Sequence, residues 1–409
     1  MNALFLHQNF PGQFRHLASH LAGQPGWTVA GLGDARNVKP QVSAQGVRVL
    51  AYKHTEQPPK GHPYLHGLES RVRRAQSVVR ALSEMKKKGF TPQILCVHPS
   101  WGEAMFVREV FPHARLLAYC EFFYRAEGSD VGFDPGMPAA TLDDLCRLRL
   151  RNTAHLLALT ECDAGWSPTD WQARQFPPEF RAKISAIHDG VDTDIVRPLP
   201  GAVFKADDLT LTADDSVLTY VARNLEPYRG FHTFMRALPA IMRDHPRTHV
   251  VIAGGDEISY GKAPAAGGNW REAMLAEVGA GLDPARLHFT GKLAYKDYLS
   301  LLQVSSAHIY LTYPFVLSWS MLEAMSAGCA LVASNTAPVT EVIEDGRNGL
   351  LADFFKPDEL ARSVGQVLAN RDAHAPMRAR ARDHSRALRP AARVRAGAGR
   401  DAAPAALIP

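Results

Sequence analysis

Short apolar runs alternate with amphipathic stretches through most of the chain, which is how buried parallel strands and their covering helices read in a sequence. In the first half the strand-like runs are Ala3–Leu6, Thr28–Leu32, Val47–Tyr52, Gln93–Val97, Arg115–Tyr119, His155–Leu159 and Ile184–Ile187. In the second half they are Val217–Val221, His249–Ala253, Leu287–Thr290, Ala307–Leu311 and Ala330–Ser334, with Phe231–Met242 and Tyr295–Val304 reading as helices between them. The pattern predicts an α/β protein with two separately wound sheets. Between the halves lie Gly190, Pro198, Pro200 and Gly201 without a long apolar run. The expected division is therefore a first domain over 1–190, a hinge over 191–201 and a second domain over 202–370. Wound sheets bind ligands at the carboxyl ends of their strands, so two facing sheets predict a cleft between the domains.

Composition agrees with two packed cores: 409 residues at 46% hydrophobic content exceed what one core comfortably holds. No window approaches the ~18 uncharged apolar residues of a membrane-spanning helix. The start, Met1 to Leu6, lacks the basic-then-apolar order of a secretory signal, so a cytoplasmic location is expected. The five cysteines, Cys96, Cys120, Cys146, Cys162 and Cys329, lie too far apart in sequence to suggest a zinc site or a disulfide framework. The net charge of +5 invites a nucleic-acid reading, but its distribution removes it. Residues 371–409 hold nine Arg and three Asp and so carry +6, which leaves −1 for the rest. That tail is rich in Ala, Gly and Pro, with little helical periodicity after about Met377, and is expected to be irregular.

The chemistry-bearing motifs follow strands. Arg223-Asn-Leu-Glu-Pro-Tyr-Arg229-Gly230 stands directly after one strand and before a helix. Two guanidiniums on such a loop suit a diphosphate, since Arg stays charged and donates in a planar fork beside the open N–H groups of a helix start. Two solvated surface arginines are the plainer alternative. The run Tyr313–Gly328 follows the strand Ala307–Leu311. Ser318 or Ser320 can cap its helix, and Glu323 is the single charge in an apolar segment, placed to accept hydrogen bonds from a ribose diol or simply favoured by the helix dipole. Gly31-Leu-Gly33 lacks the third glycine of a dinucleotide loop, and no Gly-Lys-Ser/Thr phosphate loop occurs. Asp192-Thr193-Asp194 looks like a metal-binding acid pair but falls in the hinge, and no metal is assigned. The basic stretch Arg71–Lys88, with Val72, Ala75, Val79, Leu82 and Met85 at helical spacing, can lie on an anionic membrane or, more simply, present a core stripe and a solvated face.

These residues resemble the retaining glycosyltransferases of family four, whose GT-B fold is two facing Rossmann-like domains. The resemblance covers roughly residues 1–370. It is strongest at Arg223, Arg229, Glu323-Ala324-Met325, Gly328 and Val332-Ala333-Ser334. The first half, through Leu6-His-Gln-Asn-Phe-Pro-Gly12-Gln13-Phe14 and Ser167-Pro-Thr-Asp-Trp-Gln172, is similar to one bacterial subgroup associated with polysaccharide assembly. The resemblance implies a nucleotide-diphosphate sugar as donor, a glycan or lipid-linked acceptor and a hexosyltransferase activity; no cofactor or metal and no nucleic-acid partner are expected, and the basic stretch leaves peripheral contact with the inner face of a membrane open.

It also implies roles. Arg223 and Arg229 would hold the donor diphosphate, with Arg229 where the family usually has Lys. Glu323 would bind the ribose, Gly12 would let backbone approach the donor phosphate, and Lys292 would border the base pocket. The family places a further Glu eight positions before Glu323, and here that position is Phe315. The donor sugar would then rest on backbone N–H groups of Phe315, Val316, Leu317 and Ser318, or on another acid. Glu121, at the end of the strand Arg115–Tyr119, is the candidate catalytic acid, against a structural role paired with a neighbour such as Arg125. His98, ending another strand, is the second candidate, with a pKa range suited to proton transfer. The alternative function is a catalytically impaired sugar-nucleotide or glycan-binding relative, suggested by Phe315 and by an atypical run from about residue 380 of the kind a changed reading frame would produce.

Overall fold

The computed structural model describes residues 1–43, 45–55 and 61–388. The described chain divides into two compact units between Asp189 and Gly190. The first holds β1 (Asn2–Leu6), β2 (Thr28–Asp34), β3 (Gln41–Val42), β4 (Arg48–Tyr52), β5 (Ile94–Val97), β6 (Arg115–Tyr119), β7 (Ala164–Ser167) and β8 (Ile184–Ala186). The second holds β9 (Val203–Ala206), β10 (Leu209–Thr212), β11 (Ser216–Asn224), β12 (Thr248–Gly255), β13 (Leu287–Gly291), β14 (Ala307–Tyr310), β15 (Leu331–Ser334) and β16 (Leu350–Ala352).

In the first unit the sheet order is β3-β4-β2-β1-β5-β6-β7-β8, parallel except where β3 meets β4. Its strands are buried on both faces, so a continuous apolar run supplies two cores at once. Ala3 and Phe5 pack with Phe14 and Ala18 on one face, while Leu4 and Leu6 pack with Val78 and Leu82 on the other. In the second unit the order is β13-β12-β11-β14-β15-β16, all parallel, with β9 and β10 as a separate antiparallel hairpin. Strand order reverses at β1/β5 in one sheet and at β11/β14 in the other. Crevices open at the carboxyl ends of strands at such reversals, which fixes where to look for sites.

Three expectations are corrected. His155–Leu159 is not a strand but part of the helix Thr153–Glu161, in which Ala154, His155, Ala158 and Leu159 are buried, and the strand is β7 beyond it. A short apolar run does not by itself distinguish a buried helix from a strand. The tail is not irregular from its start: Ala375–Ala387 is a helix that buries Met377, Ala381 and Ser385. Small residues at four-residue spacing carry that face, which a search for large apolar side chains passes over. The remainder, 389–409, lies outside the described residues. In the helix His66–Lys87 the buried positions are Arg74, Ala75, Val78, Leu82 and Met85, whereas Val72 is exposed. No described helix is long and apolar enough to cross a membrane. Asp192 caps a turn, its Oδ1 accepting from the N–H groups of Asp194 and Ile195 at 3.1 and 3.3 Å.

Candidate functional site

A cavity of about 570 Å³ opens in the second unit at the reversal between β11 and β14. Its lining includes Arg223, Arg229, Lys292, Ser318 and Glu323, together with Tyr260, Tyr295 and Tyr298. β11 carries Arg223 near its end and the turn Pro227–Arg229 that follows carries Arg229, and the two are held differently. Arg223 is exposed, and its guanidinium makes no hydrogen bond or ion pair with any described residue. Arg229 is half-buried, and its Nη1 donates to Thr312 Oγ1 at 2.8 Å and to the Val316 carbonyl at 3.0 Å. Burial works against its charge, but the neighbouring Tyr310 and Tyr260 outweigh it and the pKa is raised. Gly230 follows with φ +68°, and a Cβ there would collide with Leu311. Only glycine lets the chain turn into the helix Phe231–Asp244 so close to β14.

Glu323 lies on the helix Trp319–Ala327, which Ser318 caps by accepting from the Ser320 N–H at 3.3 Å. Both of its carboxylate oxygens already have donors: Tyr295 Oη–H at 2.9 Å to Oε1 and Tyr298 Oη–H at 2.8 Å to Oε2. Burial and the adjacent carboxylate push the Tyr298 phenol well above its ordinary value, so it stays a donor. Two fixed donors leave lone pairs on each oxygen for a further diol. Lys292, at the end of β13, is exposed and pairs with Glu257 at 2.8 Å. A loop over the same cavity is fastened by buried Glu226, whose oxygens accept from the N–H groups of Ser259, Tyr260 and Gly261 at 3.2, 3.1 and 2.9 Å. That places the Tyr260 ring 5.5 Å from the Arg229 guanidinium carbon.

The loop expected to grip a donor sugar also has structural partners of its own. Phe315 is buried against Tyr260 and Tyr228, with ring centres 5.0 and 5.5 Å away, and Leu317 belongs to the apolar core. The Val316 carbonyl accepts from Arg229, and the Ser318 N–H donates to Tyr310 Oη at 2.8 Å. Of the four residues Ser318 lines the cavity, and the loop fixes Arg229 and the helix start. An aromatic residue where an acid was expected completes an aromatic cluster.

The first unit brings the remaining candidates together at its own reversal. Glu121 Oε1 accepts from Gln13 Nε2 at 2.6 Å, Oε2 lies 3.3 Å from His98 Nε2, and its carbonyl accepts from Gln172 Nε2 at 2.6 Å. Its side-chain partners are thus His98 and Gln13, not Arg125. His98 Nδ1 accepts from the Ser100 N–H at 3.4 Å, which leaves Nε2 to carry the proton toward Glu121. Burial opposes the Glu121 charge, but the His98 and Gln13 hydrogen bonds outweigh it and the pKa is lowered. The site therefore holds an ionised carboxylate. Gly12, with φ +45°, rests on the His7 ring, and a Cβ would fall within 2.8 Å of three ring atoms. His7 itself, deeply buried and beside His98, is pushed down to about 3 and is neutral.

The sequence named Arg223, Arg229, Glu323, Lys292, Gly12, Glu121 and His98 but missed Tyr295, Tyr298 and Tyr260. Glu226, His7, Gln13 and Gln172 stood in quoted motifs without a role. An isolated polar residue within an apolar strand end, as at His7, was the one available signal.

Two wound α/β units, each with a polar crevice at its strand reversal, are the parts of the GT-B fold. Sequence comparison agrees: residues 25–196 match the family model described as "Glycosyl transferase family 4 group" and residues 205–384 match "Glycosyl transferases group 1". The first of these models names family four, and the two matches together take in most of the chain. It is 24% identical over 209 residues to D-inositol 3-phosphate glycosyltransferase of Nocardioides, a match that takes in 49% of this chain and 45% of that protein. The chain thus spans about half the length of that relative. Among solved structures it is similar to sucrose-phosphate synthase of Thermosynechococcus elongatus, with a TM-score of 0.71 at 16% identity over 97% of this chain and 98% of that one. Anabaena HepE, solved in complex with UDP-glucose, gives a TM-score of 0.65 at 15% identity over 97% and 100%.

Proposed function

We propose that the chain is a retaining glycosyltransferase that moves a hexosyl group from a nucleotide-diphosphate donor to a glycan or lipid-linked acceptor in bacterial polysaccharide assembly, without a metal. The observation that carries this is the second-unit cavity, where an unpaired Arg223, a fastened Arg229 and a doubly hydrogen-bonded Glu323 line one space. In this reading Arg223 and Arg229 receive the charge that develops on the leaving diphosphate, a fixed electrostatic stabilisation of the kind that contributes most to many enzymes. Glu323 accepts from the ribose diol and Lys292 borders the base. In the first unit, Glu121 accepts a hydrogen bond from the reacting hydroxyl and His98 orients Glu121, while Gly12 keeps backbone free to approach phosphate. UDP-glucose in HepE makes uridine the first base to test.

The test is calorimetric titration of the full chain with uridine and guanosine diphosphates and their sugar conjugates, without metal, on wild type and Arg223→Ala. Binding of one base that weakens about tenfold or more in the variant supports the reading. Absence of binding by either base, with or without magnesium, overturns it.

A further inference from the structure

A second polar cluster adjoins the His98–Glu121 pair and has no part in the chemistry described above. Arg71, on the helix His66–Lys87, donates Nε to the Ser100 carbonyl at 3.0 Å. Ser100 Oγ lies 3.3 Å from His155 Nε2, and the His155 ring centre is 6.4 Å from that of Tyr124. Over Tyr124 stands Arg151, its guanidinium carbon 3.8 Å from the ring centre. Asn152 clamps Tyr124 from both sides of the backbone, donating to its carbonyl at 2.7 Å and accepting from its N–H at 3.0 Å. A continuous path of contacts therefore joins the two arginines through segments that follow β5 and β6, at the end of the sheet where wound folds take ligands. The same Ser100 reaches His98, which reaches Glu121.

What marks the cluster is its unbalanced charge. On the same helices Arg73 pairs with Glu69, Arg74 with Asp34 and Arg147 with Asp144. Neither Arg71 nor Arg151 has a carboxylate partner among the described residues. The nearby acids are engaged elsewhere, Glu121 by Gln13 and His98 and Asp130 by Ser129 Oγ at 3.0 Å. Burial, and then the positive charge of Arg151, push the Arg71 guanidinium down, so the two like charges stand within each other's field. Arg71 is half-buried, where an unneutralised cation is costly and an arriving anion offsets that cost. Guanidinium forks beside a phenol and a serine hydroxyl fit the oxygens of a phosphate.

We propose that Arg71 and Arg151 hold a phosphate group of the acceptor beside Glu121. The proposal rests on the reading of Glu121 as the acceptor-side carboxylate. It narrows the acceptor from any glycan to a phosphorylated one, either a soluble sugar phosphate or a lipid-borne diphosphate.

The experiment is calorimetric titration of the full chain with inorganic phosphate, a hexose 6-phosphate and a short prenyl diphosphate, on wild type, Arg151→Gln, Arg71→Lys and Arg223→Ala. Arg151 is exposed, so its variant should fold, and Arg71→Lys keeps charge and stem while removing the fork. A phosphorylated ligand should bind wild type at least tenfold more tightly than inorganic phosphate. Its affinity should fall about tenfold in Arg151→Gln and in Arg71→Lys and hold in Arg223→Ala. Preference for the hexose 6-phosphate identifies a soluble acceptor, and preference for the prenyl diphosphate a lipid-linked one. Binding that falls only in Arg223→Ala, or no gain over inorganic phosphate, overturns the proposal while leaving the nucleotide cavity as read. Loss of nucleoside diphosphate binding with phosphate still held by Arg71 and Arg151 would sink the donor reading instead.

Discussion

The two sheet reversals share a topology and are furnished in opposite ways. At β11/β14 one functional group is left open and another keeps capacity to spare: Arg223 has no partner among described residues, and each Glu323 oxygen has one phenol donor and lone pairs left over. At β1/β5 the carboxylate of Glu121 also has one partner per oxygen, but these are an amide and an imidazole, Gln13 on one oxygen and His98 on the other. The first arrangement suits binding a charged molecule that arrives and leaves each turnover. The second suits a group whose protonation state and direction must not vary. One topology thus supports two tasks through the kind of group set at each reversal, an unpaired guanidinium beside a phenol-braced carboxylate in one and a carboxylate paired with an imidazole in the other.

The sharpest way to break this contrast is Glu121→Gln, which keeps shape and removes charge. Transfer rate should fall by about 10²–10⁴-fold with nucleoside diphosphate affinity unchanged, as steady-state kinetics and titration on the same preparation will report. An unchanged rate would reduce Glu121 to a structural acid.

Acid should separate the units next. His7 and His155 in the first unit are pushed down to about 3 by burial first, and His308 in the second to about 4 by burial alone. Folded values below the unfolded one mean that the unfolded chain binds more protons between them, so stability present near neutrality is lost as pH falls below about 6.5. At pH 5 each such histidine withdraws about 2 kcal/mol, hence about 4 from the first unit and about 2 from the second. Partly buried His288, lowered by burial and by His249, adds a smaller amount to the second. Buried Glu103, raised by desolvation, works in the opposite direction in the first unit. In a Glu103→Gln background, pulsed hydrogen exchange at pH 5 should therefore open the first unit before the second. Simultaneous opening would show that these histidines do not set the difference.

Smaller effects sharpen the open side. Arg223→Ala should cost about tenfold in nucleoside diphosphate affinity and leave stability untouched. Arg229→Ala should cost a similar factor and about 1–3 kcal/mol of stability as well, because Thr312 Oγ1 and the Val316 carbonyl lose their donor. Equal unfolding midpoints for the two variants would contradict the division into an open and a fastened arginine. Least of all, Tyr298→Phe should weaken binding of a ribonucleoside diphosphate a few-fold, by about 1 kcal/mol, with a smaller effect on the 2′-deoxy analogue. An equal effect on both would separate Glu323 from the ribose.

Much of this was legible in the sequence where a property is local. Tyr295–Val304 and Arg115–Tyr119 are bounded as their patterns predict, since apolar period and strand length are set within a few residues. Glu323 announced itself as the single charge of its segment, and Arg223 and Arg229 by their loop. What stayed hidden depends on residues distant in the chain: the phenols that brace Glu323 come from a helix 25 and 28 positions earlier, and Gln13 reaches Glu121 across 108. The aromatic nest around Phe315, assembled from Tyr228 and Tyr260, turned an apparent missing acid into a packing residue. β16 and the β9/β10 hairpin escaped because they are too short to show a period.

The helix Ala375–Ala387 packs onto Trp319–Ala327, and Ala381 shares a buried cluster with Met321, Leu322 and Met325. Exposed Arg380 and Arg386 are free to drift among polar residues, whereas half-buried Arg378 donates to the Arg371 carbonyl at 3.0 Å, and the inner face admits almost no growth. A methylene added at Ala381 has nowhere to go except into the helix that carries Glu323. Natural variation should therefore be broad along the outer face of this helix and narrow at Met377, Ala381 and Ser385. The binding constant for nucleotide would then answer to a side chain that never meets it.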